Sequence, residues 1–404
     1  MKKIFYGWWI VSACFFLAFY ISGAVTIGFT TFFEPIVDEF GWSYTEVSFA
    51  ASLRGLELGI FAPLMGYLVD RFGARILIFI GSLSIATGYF VLSQMSSLSI
   101  FYLAFIFIGL GTSACTGTVL TPAVANWFRL NVGKALGFMA SGFGFGGLLI
   151  PLIAILIRFY HWRATFIILG VGMLLIGFSV SLIIRNRPEE FGSFPDGINP
   201  EDSVKILKYD KDVDIRAALH NKTFWYLSIS ESIRLMAMTA VITHIMPYFM
   251  TEGIDKATAV AVTSALPLLS IIGRIFFGWL GDKFNRTRIL ALVYLFAAVG
   301  LIAFSYAQRF WIILIFMMFF PFSWGAGPLR GSILRNLFGR ASLGKILGIM
   351  AGIGTLARMV GPLFAGLTYD TYKDYRLFWV ICSGTLIISV LLMLSIKPIN
   401  SEEN

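Results

Sequence analysis

Seven charged side chains stand inside apolar runs of this chain: Arg54, Glu57, Glu231, Arg234, Arg274, Arg330 and Arg358. A charge in the middle of such a run costs roughly 2.5–3.5 kcal/mol on insertion scales, so the residues that remain are functional candidates. Arg54 and Glu57 are three positions apart, as are Glu231 and Arg234, and on a helix each couple shares a face and neutralises itself. Arg274, Arg330 and Arg358 have no such local partner, an excess of three positive charges in the carboxyl-terminal half. A guanidinium stays protonated at physiological pH and its planar fork takes a carboxylate through two hydrogen bonds, so these three are candidate anion-binding residues. Arg330 lies about two turns from the end of its run, from which it can snorkel to the interface. Glu57 and Glu231 are the candidate carriers of a coupled proton. No Ser, His and Asp set, no Walker-type glycine loop and no cofactor fingerprint accompanies them, and Cys14, Cys115 and Cys382 lie inside separate apolar runs. The expectation is a protein that is not an enzyme, with no catalytic residue, no metal site and no cofactor.

The elements that hold these charges follow from composition. With 58% hydrophobic residues, 13% charged residues and a mean hydropathy of +0.82, the chain has more apolar surface than a soluble core can bury. Twelve apolar stretches have about the length that crosses a bilayer as helix: 8–33, 44–69, 76–94, 99–127, 134–157, 164–185, 223–249, 258–280, 289–306, 311–336, 345–368 and 376–396. Strand alternation is absent. The expected class is therefore an all-α membrane protein of twelve transmembrane helices. Lys2 and Lys3 precede the first run, but no small-residue cleavage site follows, so that run reads as a helix and not as a signal peptide. The net charge of +9 is uneven: most Lys and Arg fall in loops on the side of the termini, among them Arg71, Arg75, Arg129, Lys134, Lys283, Arg286, Arg288, Arg340 and Lys345. That asymmetry sets both termini in the cytoplasm and removes the argument for a nucleic-acid partner.

The chain is also doubled. GYLVDRFGAR at Gly66 returns as GWLGDKFNRTR at Gly278, NWFRLNVGKALGFMASGFG at Asn126 as NLFGRASLGKILGIMAGIG at Asn336, and HWRATF at His161 as DYRLFW at Asp374, all at offsets of 210 to 213 residues. Three landmarks in one order at one offset predict two pseudo-symmetric six-helix bundles, 1–185 and 223–404, around a central cavity. Between them, 186–222 is rich in Pro, Gly and charge and reads as a cytoplasmic linker that is only a tether, with a short surface helix near Asp212–Leu219. Gly142, Gly144, Gly146, Gly147 and Pro151 in the fifth run, with Gly348, Gly352, Gly354, Gly361, Pro362 and Gly366 in the eleventh, predict close helix packing and local bending. His244 reads as a packing residue and not a proton relay. Phe29, Thr30, Thr116, Thr121, Tyr248, Ser270 and Ser323 lie on helices near the expected cavity, with facing directions that the pattern leaves open.

The doubled Gly, Asp and basic pattern resembles the signature of the major facilitator superfamily over the whole chain. YGWW at Tyr6, FFEPIVDEFGWS at Phe32, EVS at Glu46 and the NWF segment are similar to the branch of monocarboxylate transporters and oxalate:formate antiporters. The resemblance implies a latch at the cytoplasmic ends of the halves, formed by Gly66, Asp70, Arg71, Arg75, Gly278, Asp282, Lys283 and Arg288, in which each Asp meets nearby arginines and a helix amino terminus. It also implies that Arg274 holds the substrate carboxylate and that Arg358 supplies a second cation, a pair that suits a dicarboxylate. The helix 1 Lys and helix 8 Asp of the animal monocarboxylate transporters are Ile27 and Ser270 here, so their proton coupling does not carry over. Because the seventh helix lines the cavity in this superfamily, Glu231 is the first choice for a coupled proton. The resulting expectation is a monomeric, multi-pass transporter of the cell (inner) membrane, moving small carboxylates by proton symport or anion exchange. An exporter of drug-like solutes and a non-transporting sensor remain as alternatives.

Overall fold

The structure, a computed structural model, describes residues 5–42, 44–197, 215–340 and 342–396; the side chains of residues 30, 34, 44–45, 48–59, 256 and 260 lie outside the described set. Helices account for nearly all of it, and no strand occurs among the described residues. Apolar sequence in a medium without water takes this form because a helix satisfies its backbone N–H and C=O groups within one segment. The first part runs α1 (Tyr6–Tyr20), a π-helical turn (Ile21–Ile27), a 3-10 turn (Gly28–Phe32), α2 (Phe33–Phe40), α3 (Tyr44–Phe72), α4 (Ala74–Ser93), α5 (Leu98–Ala114), α6 (Gly117–Ala125), α7 (Val132–Phe145) and α8 (Leu149–Ile183). The second runs α9 (Ile215–His220), α10 (Lys222–Thr251), α11 (Lys256–Lys283), α12 (Arg286–Ser305), α13 (Phe310–Phe319), a 3-10 turn (Phe320–Gly325), α14 (Ala326–Phe338), α15 (Leu343–Tyr372) and α16 (Arg376–Ser395).

Ten helical runs among the described residues are long and apolar enough to cross a membrane. One of them, Val132–Ile183, has 52 residues. At about 1.5 Å per residue it would be more than twice the ~30 Å of hydrocarbon, so it contains two crossings. They are broken at His161, whose backbone (φ 66°, ψ 154°) leaves the helical region. Helix α3, with 29 residues, has the length of a further crossing. Ten counted runs, one of them long enough for two crossings, and α3 are the helices of spanning length among the described residues, set against the twelve crossings expected. Of the predicted surface helix, Ile215–His220 is helical, while residues 212–214 lie outside the described set.

Contacts divide the chain into two compact units. The first contains Met1–Leu130, Phe138–Val213 and Phe338–Gly352; the second contains Asn131–Gly137, Asp214–Leu337 and Ile353–Asn404. Each unit is built mainly from one sequence repeat and takes in the opening turns of one helix from the other. Within the first, α4 packs on α5 and α8; within the second, α12 packs on α16. The second unit has an aromatic core in which Tyr248, Phe304, Tyr375 and Trp379 meet. His244 sits at its edge, with Nδ1 3.3 Å from the Tyr375 hydroxyl and Nε2 3.0 Å from the Pro362 carbonyl oxygen. That is the packing role expected for it.

The repeat is visible in chemistry as well as in sequence. Arg163 donates to the carbonyls of Ser93 and Met95 (3.1 and 3.0 Å), and Arg376, 213 residues later, donates through Nε to the carbonyl of Ser305 (3.3 Å). Both arginines close a helical turn by satisfying the last carbonyls of a preceding helix, a C-terminal cap by a cation.

The linker is more than the tether read from its composition. Arg185 is stacked between the rings of Tyr6 and Phe191 (4.3 and 4.1 Å to the centroids). The Asp196 carboxylate accepts from the amides of Arg129 and Leu130 (2.6 and 2.8 Å), and Glu189 pairs with Arg340 at 2.9 Å. Charge and proline predicted exposure, but these side chains find fixed partners on the first unit, so the stretch to Gly197 is docked.

At the corner before α3, Glu39 accepts from Arg163 (2.6 Å) and from the Trp162 indole (2.8 Å). The Arg163 hydrogen bond, ahead of burial, holds the Glu39 carboxyl below its ordinary value of 4.5. A carboxylate with a depressed folded pKa stabilises the fold above its unfolded pKa and loses that contribution as pH falls through the folded one. Glu39→Gln should therefore lower the melting temperature slightly at pH 7, by the equivalent of at most about 1 kcal/mol for an exposed pair. The difference should shrink as pH falls below the ordinary carboxylate value and vanish in stronger acid, once Glu39 is protonated in the folded protein too; a gap between wild type and variant that persists there would exclude the ion pair as its source.

Candidate functional site

Four arginines and one glutamate come together in the second unit. Glu231 and Arg234 lie one turn apart on α10, and both are buried, with side-chain exposures of 3% and 6%. The Arg234 Nη2 donates to Glu231 Oε1 (2.7 Å) and its Nε to Oε2 (2.9 Å), a two-pronged pair. Its Nη1 donates to the carbonyl of Ser323 (3.2 Å), in the turn before α14, and contacts Met238 Sδ (3.4 Å). The spacing of three residues places the pair; the second grip on Ser323 fixes its rotamer. Arg330 on α14 then reaches the same carboxylate, donating through Nη1 to Glu231 Oε1. Its side chain is 23% exposed.

Arg358 on α15 lies within Coulomb range of Glu231, Arg234 and Arg330, and Arg274 on α11 within Coulomb range of Arg234. The backbone carbonyl of Arg358 accepts from Thr239 Oγ1 on α10 (3.1 Å), which fixes the crossing that brings Arg358 near Glu231. Arg274 is buried, whereas Arg358 is exposed at the centre of a 30-residue helix. Ser270, one turn before Arg274, is buried with its hydroxyl bonded to the Pro267 carbonyl at 2.6 Å. Sequence spacing assigned Glu231 to Arg234 alone; the fold adds Arg330 to that carboxylate. Arg234, Arg330 and Arg358 thus surround the Glu231 carboxylate, with Arg274 beside Arg234. Arg54 and Glu57 lie on α3, and their side chains are outside the described residues, as is that of Thr30. Phe29, which the sequence placed near a cavity, packs instead against Phe33, Phe101 and Phe105.

A second arrangement occurs twice. Asp70 accepts from the amides of Gly344 and Lys345 (3.0 and 2.9 Å) at the start of α15. Asp282 accepts from the amides of Gly133 and Lys134 (2.7 and 2.6 Å) at the start of α7. Each aspartate from one repeat therefore caps a helix from the other, filling two of the four amides that a helix start leaves unsatisfied and meeting its partial positive charge. Gly66 and Gly278 allow this approach: a Cβ on Gly66 would strike the carbonyl of Gly344, and one on Gly278 the carbonyl of Gly133.

The basic residues of the motif act differently from expectation. Arg71 donates to the Tyr67 hydroxyl (3.2 Å) and stacks on Phe72, Arg75 gives its backbone amide to Asn186, and Arg288 gives its own to Asn285. Lys283 stands over the Trp279 ring at 4.2 Å. The one arginine bonded to either aspartate among the described residues is Arg286, 3.2 Å from Asp282. The amide donors Gly133, Lys134, Gly344 and Lys345 were not assigned from sequence, although their Gly-Lys dipeptides stand at matching places in the repeated NVGKALG and SLGKILG segments.

Comparison with known proteins places these features. The family model described as Major Facilitator Superfamily matches residues 8–327 and 236–404. Monocarboxylate transporter 12 of Mus musculus is 25% identical over 416 residues, covering 96% of this chain and 85% of its own length. The oxalate:formate antiporter of Oxalobacter formigenes is 25% identical over 360 residues, covering 88% and 83%. Among solved structures, the human organic anion transporter MFSD10 superposes with a TM-score of 0.73 at 14% identity, covering 96% of this chain and 99% of its own. The E. coli fucose:proton symporter gives 0.72 at 14% identity, covering 96% and 99%. The helical fold, the repeated Asp motif and a family match over most of the sequence agree: the chain belongs to the major facilitator superfamily, as a transporter related to monocarboxylate transporters and the oxalate:formate antiporter.

Proposed function

We propose that this protein is a secondary transporter of small carboxylate anions, working by alternating access in the cell membrane with both termini in the cytoplasm. The observation that carries the reading is the gathering of Arg234, Arg330 and Arg358 around the Glu231 carboxylate, with Arg274 beside Arg234. Three guanidiniums around one glutamate leave room for further anionic charge, and a small carboxylate supplies it with the geometry that a guanidinium fork accepts. An exposed guanidinium halfway along an apolar helix, as at Arg358, is costly against lipid and cheap against water or an anion. Relatives named for monocarboxylates, oxalate and formate support the same substrate class.

Coupling follows from charge. Bringing one net negative charge into an interior-negative cell costs about 2.3 kcal/mol per 100 mV, so accumulation needs a proton or an exchanged anion. Glu231 is the intramembrane carboxylate placed among the cations, and two arginines hold it in its charged form, which favours exchange over proton symport through this residue. Solute counterflow in proteoliposomes separates the two. Exchange should run at full rate without a pH gradient, and uptake that occurs only with an inward proton gradient would reverse the choice.

Three outcomes are expected for variants. Arg274→Lys should abolish carboxylate transport while membrane insertion and yield stay normal, since an ammonium cannot reproduce the fork; near-normal uptake by this variant would remove the two-pronged contact. Arg358→Gln should weaken dicarboxylates by about ten-fold or more, the 1–2 kcal/mol of one charge-assisted bond, and monocarboxylates by less. Equal losses for oxalate and lactate would reassign the residue. Asp70→Asn should weaken the cap on α15 by about 1–2 kcal/mol and raise the population with parted cytoplasmic ends several-fold. Spin-label distances between the end of α3 and the start of α15 report it, and an unchanged distribution would show that Asp70 is not a latch.

A further inference from the structure

The two arginines on Glu231 are held unequally. Arg234 alone satisfies both oxygens of the carboxylate and is itself tied down at Nε, Nη1 and Nη2. Arg330 bonds through Nη1 to an oxygen that Arg234 already serves, is the more exposed of the two, and has an Nε without a hydrogen-bond partner among the described residues. Detaching Arg234 would leave a buried charge uncompensated, a loss of about 3–5 kcal/mol. Detaching Arg330 leaves a neutral pair behind. Arg330 is therefore the releasable member, and what it is released to must be another anion.

We propose that Glu231 is a built-in stand-in for substrate: in the empty carrier its carboxylate occupies Arg330, and an arriving substrate carboxylate takes Arg330 over while Arg234 keeps Glu231 neutralised. The proposal rests on the carboxylate reading above and adds a competitor inside the site. It explains why a cluster so rich in cations carries one carboxylate with two guanidiniums on it. With the site empty, that sharing screens Arg330 from Arg234 and Arg358; with the site filled, the substrate does so. Glu231 is on this view a positioning residue that sets affinity, and its effect has a sign that mere damage cannot imitate. Apparent affinity is the intrinsic affinity multiplied by the fraction of carriers in which Arg330 is available. If Glu231 holds Arg330 in nine of ten empty carriers, its loss tightens binding about ten-fold.

The test is equilibrium binding of labelled oxalate and labelled lactate to the purified full-length protein. Glu231→Gln should bind the anion that wild type binds about ten-fold more tightly. Since that substitution strands Arg234, the double variant E231Q/R234Q, which removes the buried pair whole, serves as the folded control and should show the same tightening. Arg330→Gln, which leaves the neutral pair in place, should bind about ten-fold more weakly, and adding Glu231→Gln to it should bring no gain, because the two effects pass through one guanidinium. Unchanged or weaker binding in both Glu231 variants, unchanged binding in Arg330→Gln, or an equal gain from Glu231→Gln with and without Arg330 would each overturn the proposal. Failure of wild type to bind either anion or to exchange any carboxylate would instead overturn the functional reading on which it stands.

Discussion

A single buried carboxylate governs the arrangement of the second unit. Glu231 lies on a helix whose other charged intramembrane group is Arg234, and a charge in that position is tolerated only with an opposite charge and hydrogen bonds to complete it. The pair meets the first requirement through the three-residue spacing on α10. The second draws in the neighbouring elements, because Arg234 also needs the Ser323 carbonyl, which is available where the chain forms a 3-10 turn and not a regular α-helix. Arg330 follows one helical segment later on α14 and completes the tie. The electrostatic demand of one couple thus fixes how α10, the turn at Phe320–Gly325 and α14 are placed.

The helix-capping aspartates obey the same rule with a different donor. A carboxylate at the end of α3 or α11 has basic residues within a few positions in sequence, and a simple Coulomb argument pairs it with them. Backbone amides win because they are already aimed, unpaired and free of side-chain entropy, whereas an exposed lysine or arginine gains little from a surface ion pair. Arg71 and Lys283 accordingly lie on aromatic rings, where a cation keeps its hydration on one side and finds a π-face on the other. The glycines at Gly66 and Gly278 matter for a geometric reason: the aspartate reaches the amides only where two backbones come nearly into contact.

These observations also explain which parts of the molecule could be read from sequence. The bilayer class, the repeat and the approximate spans rest on hydropathy and self-similarity, which are one-dimensional signals that no tertiary contact overrides. The pairing of Glu231 with Arg234 was legible because it is local to one helix. Its extension to Arg330, 99 residues away, was not, since span-by-span reading gives no rotation of one helix about another. The docked part of the linker was missed for a related reason: Pro, Gly and charge describe solvation, but the partners of Arg185, Glu189 and Asp196 lie on Tyr6, Arg340 and the turn at Arg129. The break at His161 was legible by contrast, because Arg158, His161 and Arg163 interrupt the apolar run between 157 and 164, and the backbone leaves the helical region at that place.

The two repeats diverge where the chemistry is. The capping aspartates, the Gly-Lys helix starts and the corner arginines Arg163 and Arg376 recur at offsets of 211 to 213 residues. Subtracting those offsets from Glu231 and Arg234 leads to the neighbourhood of Phe19 and Ser22, from Arg274 to Ala62, from Arg330 to Val119 and from Arg358 to Gly147, none of which carries a charge. Duplication alone would have placed charges at matching positions of both repeats or of neither. Both copies keep the aspartate, and each caps a helix of the other repeat. The first repeat carries its intramembrane charges, Arg54 and Glu57, at other places, and packs Phe29 with Phe101 and Phe105 in its interior. On the carboxylate reading proposed above, an anion held by the cations of the second repeat would keep one fixed set of partners, so that the cost of desolvating its charge is met once and not renewed at each step.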